Sequence, residues 1–234
     1  MIYRYMDEIY LNDFIENGNL RLGSLAKYKD IENKSRKDNT EGSIFWYSNG
    51  EFILTGEPPR LLMMCFSLDK SEEIATEFKT RVGFCLNEDN IDTFVKEIGK
   101  KINTSIALSG RCDYICDSLF PQINGLSFDT PKKVSNRKVI IYPYSDIILE
   151  KNGKTEKMYN LNDKTIYFLN NYSYYDEKKQ NNLREEIIQS VFIKRDFFKF
   201  HNEFRIVWLI NEEVMEKNIS SLCLSNICKK FEVE

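Results

Sequence analysis

Histidine is almost missing from this sequence: His201 is the one histidine in 234 residues. A metal centre built on several histidines is therefore excluded, and so is a histidine general base anywhere else in the chain. Glycine (10) and proline (5) are sparse as well, which excludes collagen-like and low-complexity chains. No single sign of charge dominates, since 33 Lys+Arg face 36 Asp+Glu for a formal net charge of −3. A protein that coats duplex DNA carries a strong basic excess; that class is excluded, though a local basic groove is not. No apolar run approaches the roughly 18 residues of a membrane span. The opening Met-Ile-Tyr-Arg-Tyr-Met-Asp-Glu lacks the basic and apolar parts of a signal peptide. The expectation is a chain in the reducing cytoplasm with no membrane partner.

What is present suits a packed core. Hydrophobic residues make up 42% and charged residues 29%, too apolar for a disordered chain. Aromatics reach 13%, enough for core and stacking surfaces alike. Of six cysteines, Cys65, Cys85 and Cys223 sit inside apolar runs, where a thiol acts as a small buried hydrophobe. Cys112-x3-Cys116 and Cys223-x4-Cys228 could be read as zinc knuckles, but neither has the compact paired spacing of a structural site. No bound metal is expected.

Periodicity divides the chain into alternating strands and helices. Ile2-Tyr3-Arg4-Tyr5 reads as a first strand, and Leu11, Phe14 and Ile15 mark a helix over 7–17 that Gly18 stops. Leu20 to Leu22 is a short strand. Ile44 to Leu54 is strand-like around an Asn49-Gly50 turn, and Leu61 to Phe66 is a continuous apolar run expected to be a buried central strand ending at Ser67. A helix over 71–79, a strand over 81–86 and an amphipathic helix marked by Ile91, Phe94, Val95, Ile98 and Ile102 follow. Val139 to Tyr144 and Ile147 to Lys151 read as strands, with Asn152-Gly153 turning into Thr155 to Tyr159. Leu183, Ile187, Ile188, Val191 and Phe192 mark a further helix, Phe204 to Ile210 a buried strand, and Ile219 to Leu224 a last strand. No repeat or linker interrupts the pattern. One α+β domain over 1–234 is expected, with a mixed or antiparallel sheet at its core and helices flanking it.

Three polar residues stand where a strand does not need them. Arg4 interrupts the first strand, Ser67 closes the most apolar run, and Glu203 stands at the entry to Phe204–Ile210. Each also has an ordinary reading. Arg4 could pair with Asp7 or Glu8 at the surface, Ser67 could cap a turn before Asp69, and Glu203 could pair with Arg205 or Lys199 on a strand face.

This order resembles the ADP-ribosyltransferase superfamily, in particular its Arg–Ser–Glu branch. That branch places an Arg on the first strand, a Ser on a middle strand and a Glu late in the chain. Tyr3-Arg4, the Gly18 to Ser24 segment, Cys65-Phe66-Ser67 and Glu203-Phe204-Arg205 are also similar to blocks of a broad, poorly characterised bacterial family. The resemblance implies a split-sheet α+β fold and NAD as a substrate. Arg4 would then pair with a phosphate or ribose of NAD, and Ser67 would place the nicotinamide half. Glu203 would accept a hydrogen bond from the nicotinamide ribose and stabilise the charge that develops as nicotinamide leaves. The sequence departs from the family at three points. The Ser-Thr-Ser form is absent, and His201 stands where many members carry an acceptor-engaging Glu or Gln. The interval from Ser67 to Glu203 is also long, implying an insertion within 103–180. His201 could therefore act on the acceptor as a base.

The polar segment from Tyr28 to Gly42 is a second site candidate. Tyr28 and Arg36, with Asp30, Glu32, Asp38 and Glu41, could shape the cofactor or acceptor pocket, or form a solvated charged loop. Its carboxylates could instead hold Mg²⁺ in a metal-dependent nuclease, though they crowd one loop instead of coming from separate strands. Tyr172-Ser173-Tyr174-Tyr175 with Lys178 and Lys179, and Lys132, Lys133, Arg137 and Lys138, could contact single-stranded nucleic acid or simply solubilise the surface. The expected function is an NAD-dependent mono-ADP-ribosyltransferase of toxin or phage-defence type. Its acceptor would be a macromolecule, RNA or DNA ahead of protein, and an antitoxin or regulatory protein is an implied partner. The rival from another class is a non-catalytic module that senses a nucleotide or a phage component.

Overall fold

The structure is a computed structural model that describes residues 1–24, 27, 44–48, 51–55, 60–104, 106–115, 132–133, 138–141, 147–151, 154–157, 165–168, 191–210, 212 and 214–234. Its elements begin with β1 (Ile2–Tyr5), α1 (Glu8–Asn17), β2 (Asn19–Ser24), β3 (Ile44–Ser48), β4 (Glu51–Thr55) and β5 (Leu61–Ser67). They continue through α2 (Glu72–Phe78), β6 (Val82–Leu86), α3 (Glu88–Ile102), β7 (Ile106–Arg111) and β8 (Asp113–Ile115). Five short strands follow: β9 (Lys132–Lys133), β10 (Lys138–Ile141), β11 (Ile147–Lys151), β12 (Lys154–Lys157) and β13 (Thr165–Phe168). After β14 (Ile193–Arg195) a 3-10 helix (Asp196–His201) leads into β15 (Glu203–Leu209), and β16 (Glu216–Ser220), α4 (Leu222–Ile227) and β17 (Cys228–Glu232) close the chain.

Seven strands of the nine-stranded main sheet run in the order β13-β7-β15-β5-β1-β6-β17, with β2 and β16 branching from it. All its pairings are antiparallel. One edge of β5 is paired with β15 along its full length, from Glu203↔Ser67 to Leu209↔Leu61. Its other edge branches. β1 meets it at Tyr3↔Ser67 alone, while β2 joins it at Gly23↔Met63 and Ser24↔Leu62 and carries β16 on its far side. The chain is therefore an α+β fold on a mostly antiparallel, open sheet.

Side-chain alternation explains the layers. Ile2, Leu62, Met64, Phe66, Phe84, Leu86, Ile206 and Trp208 build one core with Leu11 and Phe14 of α1, Ile91, Phe94, Val95, Ile98 and Ile102 of α3, and Leu224 of α4. Each such large apolar side chain taken from water contributes about 1.5–3 kcal/mol. Trp208 anchors this layer further, its Nε1 donating to the Val95 carbonyl of α3 at 3.0 Å. On the opposite face a smaller cluster joins Tyr5, Cys85, Phe231 and Val233 to Ile74 and Ala75 of α2.

Local signals end the helices as expected. Gly18 adopts φ +72° after α1 and its N–H returns to the Phe14 carbonyl, a left-handed cap that costs glycine nothing. The Ser71 hydroxyl accepts from Ile74 N at the start of α2. Glu88 and Asp89 open α3 while Lys100 and Lys101 close it, charges that complement the helix dipole. Gly83 lets β6 approach β1 closely, since a Cβ there would lie 2.0 Å from the Arg4 carbonyl oxygen.

The strand expected at Ile219–Leu224 is corrected. Only Ile219 and Ser220 lie in a strand, β16; Leu222 to Ile227 turn into α4, and β17 follows at the sheet edge. The β3–β4 hairpin closes at Ser48↔Glu51 and the β11–β12 hairpin at Lys151↔Lys154, around the expected Asn-Gly pairs, which lie outside the described residues. The helix expected over 183–192 is described only at Val191 and Phe192, both helical. Among the described residues, no helix is long and apolar enough to cross a membrane.

Candidate functional site

The branch point of the sheet brings the sequence candidates together. Ser67 ends β5, and its cross-strand partners are Tyr3 on β1 and Glu203 on β15. Directly opposed residues share a face, so Tyr3, Ser67 and Glu203 form one row across three adjacent strands. Arg4 lies one residue out of that row. Its Nη1 donates to the Cys65 carbonyl at 2.8 Å, between the points where β1 and β2 leave β5. A guanidinium thus occupies an opening in the ladder that no third strand fills among the described residues. Glu8, one of the surface partners considered for Arg4, lies 3.7 Å from Lys230.

Ser67 is buried and bonded twice. Its hydroxyl donates to the His201 carbonyl at 2.9 Å and accepts from Asp69 N at 3.0 Å. The turn role read from the sequence is real, and the same hydroxyl ties β5 to the segment that delivers Glu203. That segment is the 3-10 helix Asp196–His201 followed by Asn202 at φ +41°, a left-handed position that asparagine tolerates better than most residues. Asn202 is held by Nδ2 donating to Asp69 Oδ2 at 2.8 Å and by its carbonyl accepting from Leu68 N at 2.8 Å.

Glu203 is 6% exposed. Lys194 Nζ sits 2.6 Å from Oε2 and Arg205 Nε 2.6 Å from Oε1. Burial alone would raise the pKa of this carboxyl, but the adjacent Arg205 and Lys194 outweigh it and hold the group well below the usual carboxylate range. Arg205 is fully buried and its Nη1 donates to the Val191 carbonyl. The Lys194 ammonium also lies 4.8 Å from the centre of the Phe198 ring. The main chain of Glu203 is pinned as well, its N–H donating to Tyr114 Oη at 2.7 Å and its carbonyl accepting from Cys112 N at 2.8 Å. Desolvation raises the Tyr114 phenol far above its ordinary pKa, so it stays protonated.

His201 is 4% exposed, its ring 4.2 Å from Phe200, 5.2 Å from Phe78 and 5.7 Å from Phe198 between centroids. Its visible service to the row is through its backbone carbonyl. Tyr28 and Arg36, the carboxylates at Asp30, Glu32, Asp38 and Glu41, and the Tyr172–Tyr175 segment lie outside the described residues.

Beside Arg4 the parting of β1 and β2 opens a cavity of about 670 Å³. Its lining includes Tyr5, Asp7, Tyr10, Arg21, Glu216 and Asn218. Arg21 lies over the Tyr10 ring, 5.2 Å from its centre. The volume falls within the range of small-molecule sites, but Ser67 and Glu203 do not line it.

The pairing of Glu203 with Arg205 expected on a strand face is present, with both side chains buried, whereas Lys194 and Tyr114 are additions from the structure. Arg205 carried a signal, because it is the one charge inside the apolar Phe204–Ile210 run. Tyr114 carries none, since Glu203 and Lys194 lie some 80–90 residues along the chain from it, and nothing in the sequence marks Lys194, nine residues before Glu203, as buried. The alternative partner for Glu203, Lys199, lies instead 3.9 Å from Asp196. Cys223 is exposed on α4 while Cys228 is buried, and among the described residues no three His, Cys, Asp or Glu side chains gather into a metal-holding group. No protein-family model, no curated protein and no solved structure matches the chain.

Proposed function

We propose that this protein is an NAD-consuming mono-ADP-ribosyltransferase of toxin or phage-defence type, acting on a macromolecular acceptor, nucleic acid ahead of protein. One observation carries the reading. Arg4, Ser67 and Glu203, singled out in sequence order, belong to three adjacent strands at the branch point of the sheet, with Ser67 and Glu203 directly opposed. The branching at β5 also suits the split sheet of that superfamily. In this reading the bond between C1′ of the ribose and the nicotinamide nitrogen breaks, and its electron pair leaves with neutral nicotinamide. The Glu203 carboxylate stabilises the oxocarbenium-like sugar. The acceptor nucleophile then bonds to C1′ and gives up its proton to solvent water. Arg4, which also lines the cavity, supplies guanidinium donors for a phosphate of NAD.

A second reading has its own support. Glu203 is buried and both its oxygens are engaged by cations, which favours a nucleotide-sensing module that binds at the cavity without chemistry. Nicotinamide release from NAD, followed by chromatography with RNA, DNA or lysate protein present, separates the two. The transferase releases nicotinamide, and Glu203→Gln abolishes the release. Binding of NAD or ADP by calorimetry, with no release and no loss in Glu203→Gln, would establish the module instead.

A further inference from the structure

We propose that Lys194 and Arg205 are positioning residues that clamp the two oxygens of Glu203 and fix the plane in which its carboxylate meets a sugar bound beside Ser67. The inference rests on the NAD-cleaving reading and assigns what holds its one anionic group in place. The last torsion of a glutamate is broad and nearly free. Here it is stopped at both ends, by Lys194 Nζ on Oε2 and by Arg205 Nε on Oε1, each at 2.6 Å. Neither clamp is loose. Arg205 is fully buried and bonded onward to the Val191 carbonyl, and Lys194 is 5% exposed beneath Phe198.

The two cations come from different places. Arg205 rides on Glu203's own strand, whereas Lys194 comes from β14, which pairs in parallel with β8 through Lys194↔Tyr114. That same Tyr114 accepts from the Glu203 N–H. One small two-stranded sheet therefore fixes both the main chain and the side chain of the carboxylate, the kind of rigid support a reacting group needs. Stability alone is a poor account of the cluster, because a buried ion triad stabilises little more than apolar side chains of the same volume. The two carboxylate oxygens have about four lone-pair sites between them, so one site remains beyond Lys194, Arg205 and the Cys65 thiol.

Among the described residues, the charged and titratable groups around Glu203 include Lys194 from β14, Arg205 from β15, Tyr114 from β8, Cys112 just before β8, and Cys65 from β5, which also hydrogen-bonds the carboxylate. Losing one cation shifts the balance toward the protonated acid. The test is nicotinamide release against pH for wild type, Lys194→Met, Lys194→Arg and Arg205→Lys, with folding checked by circular dichroism. Misplacing a reacting group by about 1 Å costs on the order of 100-fold in rate. Lys194→Met and Arg205→Lys should therefore lower kcat by about that factor, with KM for NAD little changed. The acid limb of Lys194→Met should move up toward the ordinary carboxylate range, and Lys194→Arg should restore most of the rate. A folded Lys194→Met with wild-type kcat and an unmoved acid limb would overturn the inference. If wild type releases no nicotinamide, the NAD reading fails by itself. Carbon-13 NMR of the Glu203 carboxyl then decides the clamp, for which an upward shift in Lys194→Met counts and an unmoved titration counts against.

Discussion

On the β15 side of β5, Glu203, Lys194 and Arg205 bring three charges together at 7% exposure or less. On the other side, where β1 and β2 part, Arg21 and Glu216 face each other across 3.9 Å at 51% and 37% exposure. Both clusters pair acids with bases, yet the physics differs. Water screens the second, and each partner loses little if the other is removed. In the first, the pairing offsets much of the desolvation, so removing one partner leaves buried charge undercompensated. The sealed cluster holds its carboxylate in one fixed orientation. The open one has room for a ligand and little power to orient it.

Substitution should separate the two clusters most sharply. Arg205→Met strips Glu203 of one partner and should cost about 3–5 kcal/mol in urea unfolding, while Arg21→Ala should change stability by less than about 0.5 kcal/mol. Equal losses would erase the distinction. A smaller effect comes from pH. The folded pKa of Glu203 is depressed, so its contribution to stability is present above the unfolded value of about 4.3 and is lost as pH falls through the folded value. The difference in unfolding free energy between wild type and Glu203→Gln should hold between neutrality and about pH 5 and shrink only in stronger acid. A gap that closes already near pH 5 or 6 would mean that the carboxylate is not held as described.

How far the sequence foretold these clusters depends on how local each signal was. The strands Ile2–Tyr5 and Leu61–Ser67, the cap at Gly18 and the stripe Ile91–Ile102 emerged where expected because their signals are periodic or conformational. Leu222–Cys223–Leu224 misled because a short apolar triplet fits a strand or a helix equally. The six-residue α4 starts at Ser221 without a side-chain cap bond to announce it. Arg4, Ser67 and Glu203 could be singled out as polar interruptions of apolar strands, whereas the burial of Arg205 could not. An arginine is usually exposed, and Arg205 is interior because β15 lies between β5 and β7, with Cys65 and Gly110 as its cross-strand partners. Lys194 joined the site through β8 and β14, a parallel contact between segments that share no sequence pattern.

The smallest expected effect extends the contrast to the thiols. Burial raises the pKa of Cys85 and pushes that of Cys228 up to about 12, while Cys223 is exposed. A disulfide reagent at pH 8 should consume Cys223 within the first moments and leave Cys85 and Cys228 until the chain unfolds, because only an accessible thiolate attacks. Fast labelling of Cys228, read by peptide mass, would show that the β17 edge opens readily.

The row through Tyr3, Ser67 and Glu203 also sets a timetable for synthesis. Ser67 and Glu203 are cross-strand partners although β3, β4 and everything from α2 to the 3-10 helix is encoded before or between them. On a ribosome adding about 5–20 residues per second, the Leu61–Phe66 strand waits roughly seven to thirty seconds for β15. Throughout that interval the nascent chain holds a bare apolar strand edge, the kind of segment that pairs with other chains unless a chaperone covers it. It also lacks the carboxylate, so any chemistry that needs Glu203 begins only after that strand has emerged.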